Sequence, residues 1–90
     1  KAAPQYIDNA QVLFWAWSGD KPFGHISDGI HEIEIHGLAI CKYPKDEIIY
    51  RFSCNANWET EMDADYGSIE EAMEIPNQYK NQEIVWDKNA

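Results

Sequence analysis

The 90 residues carry 16 acidic against 7 basic side chains, a formal charge of −9. A chain of this size makes one domain around one core. Phosphate backbones and anionic membrane surfaces attract basic proteins, so neither nucleic acid nor membrane is an expected partner; a basic protein is the natural complement.

No stretch approaches the roughly 18–20 consecutive apolar residues of a transmembrane helix, and Lys1-Ala2-Ala3-Pro4 has no hydrophobic signal core behind its charge. The segment from Lys1 to Asn9 reads as a lead-in that docks Tyr6 and Ile7. Ala10 to Trp17 is a continuous apolar run rich in β-formers, closed by Ser18-Gly19-Asp20-Lys21-Pro22, and predicts a strand covered on both faces. Strict alternation would put Trp15 and Trp17 on one face, with Val12 and Phe14 on the other. The glycine- and proline-punctuated stretch Gly19–Gly29 follows, with a short extra strand around Phe23–Ile26. Loops of this composition often carry sites, and Trp15, Trp17, Phe23 and His25 form a candidate ligand pocket.

The most legible element is a hairpin from Ile30 to Cys54, turning at Tyr43-Pro44-Lys45-Asp46-Glu47. In its second arm Ile48, Tyr50, Phe52 and Cys54 alternate with polar residues, the period of a strand with one buried face. In the first arm the apolar parity flips at Gly37, from Ile33 and Ile35 to Leu38 and Ile40. Either a β-bulge at the glycine or a central strand buried on both faces accounts for the flip. With Pro44-Lys45-Asp46 as the loop, Leu38 opposes Phe52 and Ile40 opposes Tyr50. Cys41 then stands several residues from Cys54, beyond the Cα separation of under about 7 Å that a disulfide needs. Two buried free thiols in a reducing cytoplasm are expected.

Asn55 to Gly67 carries Trp58, Glu59, Glu61, Asp63, Asp65 and Tyr66, which together would present a negative edge with aromatic anchors to a basic partner. Ser68-Ile69-Glu70-Glu71 is a capping box that opens a helix, with Ile69, Ala72, Met73 and Tyr79 on the face toward the sheet. Pro76 ends or restarts it. Glu83-Ile84-Val85-Trp86-Asp87 predicts a closing strand. The expected fold is α+β, an antiparallel sheet of four to five strands with one helix packed on one face, in the order β-β-β-α-β.

Chemistry-bearing patterns are sparse. His31 and His36 are five residues apart and do not form His-Glu-x-x-His; no metal site follows from them, or from His25, at strand spacing. Ser18, Ser27, Ser53 and Ser68 include no Gly-x-Ser-x-Gly elbow. The glycines are spaced for turns rather than for a phosphate loop, and Asp63 and Asp65 lack the remaining offsets of a calcium loop. No catalytic residue and no cofactor are expected.

The carboxy-terminal third, from Trp58 through Ser68-Ile69-Glu70-Glu71-Ala72 to Trp86, resembles the ending of small acidic orphan α+β proteins carried on integron gene cassettes, phages and immunity loci. In those a strand, a capped helix opening Ser-Ile-Glu-Glu-Ala and a tryptophan-bearing strand recur. The resemblance implies no catalytic residues. The expected function is a small acidic protein-binding module, an immunity or inhibitor protein acting on a basic partner. The alternatives are a small-molecule binder or minor enzyme using the aromatic pocket, and a homodimer formed through an exposed strand edge.

Overall fold

The structure, a computed structural model, describes residues 1–89. Its first turn is set by two residues in the left-handed region, Asp8 at φ 50° and Asn9 at φ 68°. Positive φ at both central positions is the two-residue hairpin turn that matches strand twist, and Asp and Asn tolerate it best after glycine. It joins β1 (Tyr6–Ile7) to β2 (Ala10–Trp17), so the segment read as a lead-in is the start of the sheet.

The chain then forms β3 (Gly24–Ser27), β4 (Glu32–Ile35), β5 (Gly37–Lys42), β6 (Ile49–Cys54) and β7 (Thr60–Tyr66). A single turn α1 (Ile69–Ala72), a 3-10 turn at Asn77–Tyr79 and β8 (Asp87–Lys88) complete it. The main sheet is antiparallel in the order β1-β2-β5-β6-β7, with β8 a second neighbour of β2 beside Phe14 and Trp15. β3 and β4 make a separate two-stranded sheet.

The long hairpin therefore differs from its sequence reading in two ways. Its first arm is two strands in two sheets: Ile33 and Ile35 pair with β3, and the chain enters the main sheet only at Gly37. Gly37 through Cys41 are all buried, so the parity flip marks a change of sheet followed by a strand covered on both faces. No bulge sits at the glycine. The β5–β6 register also moves by one residue, with Ala39 opposite Phe52, Ile40 opposite Arg51 and Cys41 opposite Tyr50. Asp46 Oδ1 accepts the Ile48 N–H at 2.9 Å, which holds Ile48 in the turn and out of the ladder.

Paired residues share a face of an antiparallel sheet, which sorts the core. One face carries Val12, Ala39, Cys41, Phe52 and Cys54, capped by Trp58 with Trp15, Trp17 and Tyr50 packed around them. Val12 joins Trp15 there because β2 is irregular between Val12 and Phe14. The opposite face carries Ala16, Leu38 and Ile40. It is covered by the β3–β4 hairpin through Phe23 and Ile35 and by the carboxy-terminal segment through Ile75, Tyr79 and Trp86.

The helix is reduced to one turn. Ser68 Oγ accepts the Glu71 N–H at 3.1 Å, as the capping box requires. Arg51 Nη1 then donates to the carbonyl oxygens of Ala72 and Glu74 at 2.9 and 3.2 Å, satisfying them from the sheet, and Pro76 prevents helical continuation. Tyr79 reaches the core from the separate 3-10 turn. The expected closing strand at Glu83–Asp87 pairs only from Asp87. The architecture is thus mostly antiparallel β, its second face covered by the β3–β4 hairpin and irregular chain, with α1 contributing a single packed turn through Ala72. Among the described residues no helix is long and apolar enough to cross a membrane.

Candidate functional site

β7 is the one long strand at an edge of the main sheet, bonded to β6 on one side only. The turn before it is built on Asn55, whose Oδ1 accepts the N–H groups of Asn57 and Glu59 at 2.9 and 3.1 Å. The Asn55 Nδ2 donates to Glu59 Oε1 at 3.0 Å and Glu61 Oε2 at 2.8 Å, fixing two carboxylates at the start of the strand. Asp63 lies opposite Phe52 and Asp65 opposite Tyr50, so with Glu61 they follow one face along the strand. All four acids are exposed, and among the described residues none meets a lysine or arginine in an ion pair.

The aromatic anchors expected at the two ends of this row are elsewhere. Trp58 is 6% exposed and fills the core, its ring centroid 6.3 Å from that of Trp15 and 5.6 Å from that of Trp17. Tyr66 pairs with Ile49 and lies on the other face, under the Arg51 guanidinium at 5.0 Å. The aromatic side chain beside the acids is Tyr50, edge-on to Tyr43 at 5.5 Å.

The aromatic pocket expected from Trp15, Trp17, Phe23 and His25 is not assembled. Trp15 and Trp17 pack on one face of the main sheet, Phe23 is buried on the other, and His25 is exposed on β3. What meets at the junction of the two sheets is a different set. Ser18 Oγ lies 2.8 Å from His36 Nδ1, and His36 Nε2 lies 3.0 Å from Glu34 Oε1. An ionised carboxylate only accepts, so Nε2 carries a proton; in the neutral imidazole Nδ1 is then the acceptor and the serine hydroxyl donates to it. Trp17 stacks on the imidazole with centroids 5.7 Å apart, and Ser18 borders an open cleft of about 550 Å³ with Lys21, His25 and Asn81.

This constellation is invisible in sequence because Ser18 and His36 are 18 residues apart and meet only where β4 hands over to β5. A hint lay in the strand alternation of Glu34 and His36, which puts them on one face. Both imidazole nitrogens are committed, so His36 offers no lone pair to a metal; among the described residues no group of three or more His, Cys, Asp or Glu side chains is arranged to hold one. Burial pushes the thiols of Cys41 and Cys54 up to about 12, so both are neutral, unreactive core groups at physiological pH. Comparison with protein-family models, curated proteins and solved structures gave no match.

Proposed function

We propose that the protein is a small acidic binding module that captures an extended, basic segment of a protein partner along the outer edge of β7. The observation that carries this reading is the row Glu59, Glu61, Asp63 and Asp65, exposed on an edge strand and without cationic partners among the described residues. An added strand would take main-chain hydrogen bonds from the open edge, while its alternate arginines or lysines meet the carboxylates. A second copy of this chain is the poorest occupant, because pairing two such edges sets carboxylate against carboxylate. The immunity or inhibitor role is the form of this reading that the resemblance to cassette-borne proteins favours, and the two unpaired thiols fit a reducing cytoplasm.

The test is titration of 15N-labelled protein with a peptide of about eight residues alternating arginine and valine. The β7 amide signals should shift most, and affinity should fall as salt rises. The charge-reversed variant E61K/D63K/D65K should fold and lose the interaction. Equal binding by that variant would remove β7 as the interface.

A second reading, hydrolytic, rests on Ser18, His36 and Glu34. The Ser18 hydroxyl would attack an ester carbonyl as its proton passes to His36 Nδ1, with Glu34 holding the imidazole in the required tautomer. The proton would then go to the leaving alcohol, and water would release the acyl group from Ser18. An alkyl fluorophosphonate should label Ser18 in the wild type and leave H36A unlabelled; a wild-type protein left unlabelled would end this reading.

A further inference from the structure

Arg51 is only 7% exposed, yet among the described residues it meets no carboxylate. Its Nη1 donates to the carbonyl oxygens of Ala72 and Glu74. The Nε–H is buried without a hydrogen-bond partner, and Nη2 makes no side-chain hydrogen bond among the described residues. The Nε is closed off from the surface, so Nη2 is the uncommitted nitrogen left for a ligand oxygen to reach. A chain with 16 acidic residues has every opportunity to pair a buried arginine, and leaving a buried charge unpaired is costly.

Arg51 lies in the wall of an open groove of about 1000 Å³ between the sheet and the carboxy-terminal segment. Its other walls are half-buried apolar side chains, chiefly Met73, Pro76, Ile84 and Trp86, with the Tyr66 ring against the guanidinium. Lys80 adds a second cation, while Glu74 and Glu83 stand at the margin. The geometry points to a binding site for an apolar monocarboxylate, its carboxylate on Nη2 of Arg51 and its hydrocarbon body along Ile84 and Trp86. A single charge fits better than a phosphate dianion, because two carboxylates, Glu74 and Glu83, flank the groove. The site is on the face of the sheet opposite the acidic row, and it stands independently of the binding and hydrolytic readings above.

Octanoate, with octanamide as its neutral counterpart, is a direct probe. Titrated into 15N-labelled protein, octanoate should shift the Arg51 Nε–Hε and the Trp86 indole signals, and octanamide should bind about tenfold more weakly or worse. Substituting Arg51 would also leave the Ala72 and Glu74 carbonyls without their donor, so the charge dependence is read from exposed neighbours. E74Q/E83Q should tighten octanoate several-fold and K80Q should loosen it. Equal binding of acid and amide, no response to those substitutions, or octanoate shifts confined to other residues would each overturn the site. So would the absence of any shift at Arg51 and Trp86 up to saturating octanoate.

Discussion

Trp58 and Gly37 are one structural decision made at two positions. Trp58 adopts φ 61°, a left-handed backbone that costs a non-glycine residue on the order of 1 kcal/mol. Its indole more than offsets this by filling the core over Gly37, where an added Cβ would lie 2.5 Å from Cζ3. Gly37→Ala should therefore cost about 1–3 kcal/mol by overpacking, and Trp58→Ala about 3–5 kcal/mol by truncation. Because the clash exists only while the indole is present, Gly37→Ala should cost clearly less in the Trp58→Ala background. A chemical-denaturation double-mutant cycle reads this coupling, and strict additivity would show that the ring moves aside freely. The thiols give a second residue-scale expectation. Cys41 and Cys54 are raised by burial from 9.0 to about 12, so between those values the native state keeps two protons that the unfolded chain releases. Stability must then fall as pH rises above 9.0, by up to about 1.4 kcal/mol per pH unit for each thiol. Denaturation midpoints of the wild type and C41A/C54A across pH 8.5–10.5 check it, the variant showing a shallower decline.

At the scale of elements, local signals were legible and the partners of those elements were not. The capping box at Ser68 and the apolar run of β2 appear where the sequence puts them, because a cap and a β-rich run are properties of neighbouring residues. The Asp8-Asn9 turn is equally local, since two consecutive residues that tolerate positive φ are the signal of a tight hairpin. The strand nature of the acidic segment was hidden by its composition, since Glu and Asp are poor strand formers that an exposed edge accepts and even favours. Nothing local could show that β4 and β5 belong to different sheets, or that Ser18 and Arg51 find partners 18 and 21 residues away. The docking of the carboxy-terminal segment is non-local in the same way, and Gly24 fixes it. A Cβ there would fall 1.9 Å from the backbone oxygen of Gln78, while the Asn81 N–H donates to the Phe23 carbonyl at 3.2 Å. Backbone cannot swing aside as a side-chain tip can, so Gly24→Ala should lift the 3-10 turn from the hairpin. Amide exchange in residues 77–81 should accelerate in that variant while β5 and β6 remain protected; unchanged exchange would mean that the two segments do not depend on this contact.

The whole molecule is a sheet buried on both faces beneath a strongly negative surface. Among the described residues the only basic side chains within close reach of a carboxylate are histidines, His25 and His36 beside Glu34 and His31 beside Asp28. Among the described residues no lysine or arginine neutralises an acid at close range, so the charge of −9 acts mainly as self-repulsion in the compact state. Mobile ions screen such repulsion, with a Debye length near 30 Å at about 10 mM salt and about 8 Å at physiological ionic strength. Raising sodium chloride from about 10 to about 150 mM should therefore raise Tm, by about 4–8 °C for each kcal/mol of repulsion relieved in a domain of this size. The same argument locates part of the effect. Glu61, Asp63 and Asp65 lie on one face of one strand, so E61Q/D63N/D65N should raise Tm at low salt and flatten its salt dependence. A Tm that falls on adding salt would mean that attractive pairs outweigh repulsion. An unaltered salt slope in the triple variant would place the repulsion elsewhere on the surface and weaken the case that β7 is held ready for a cationic partner.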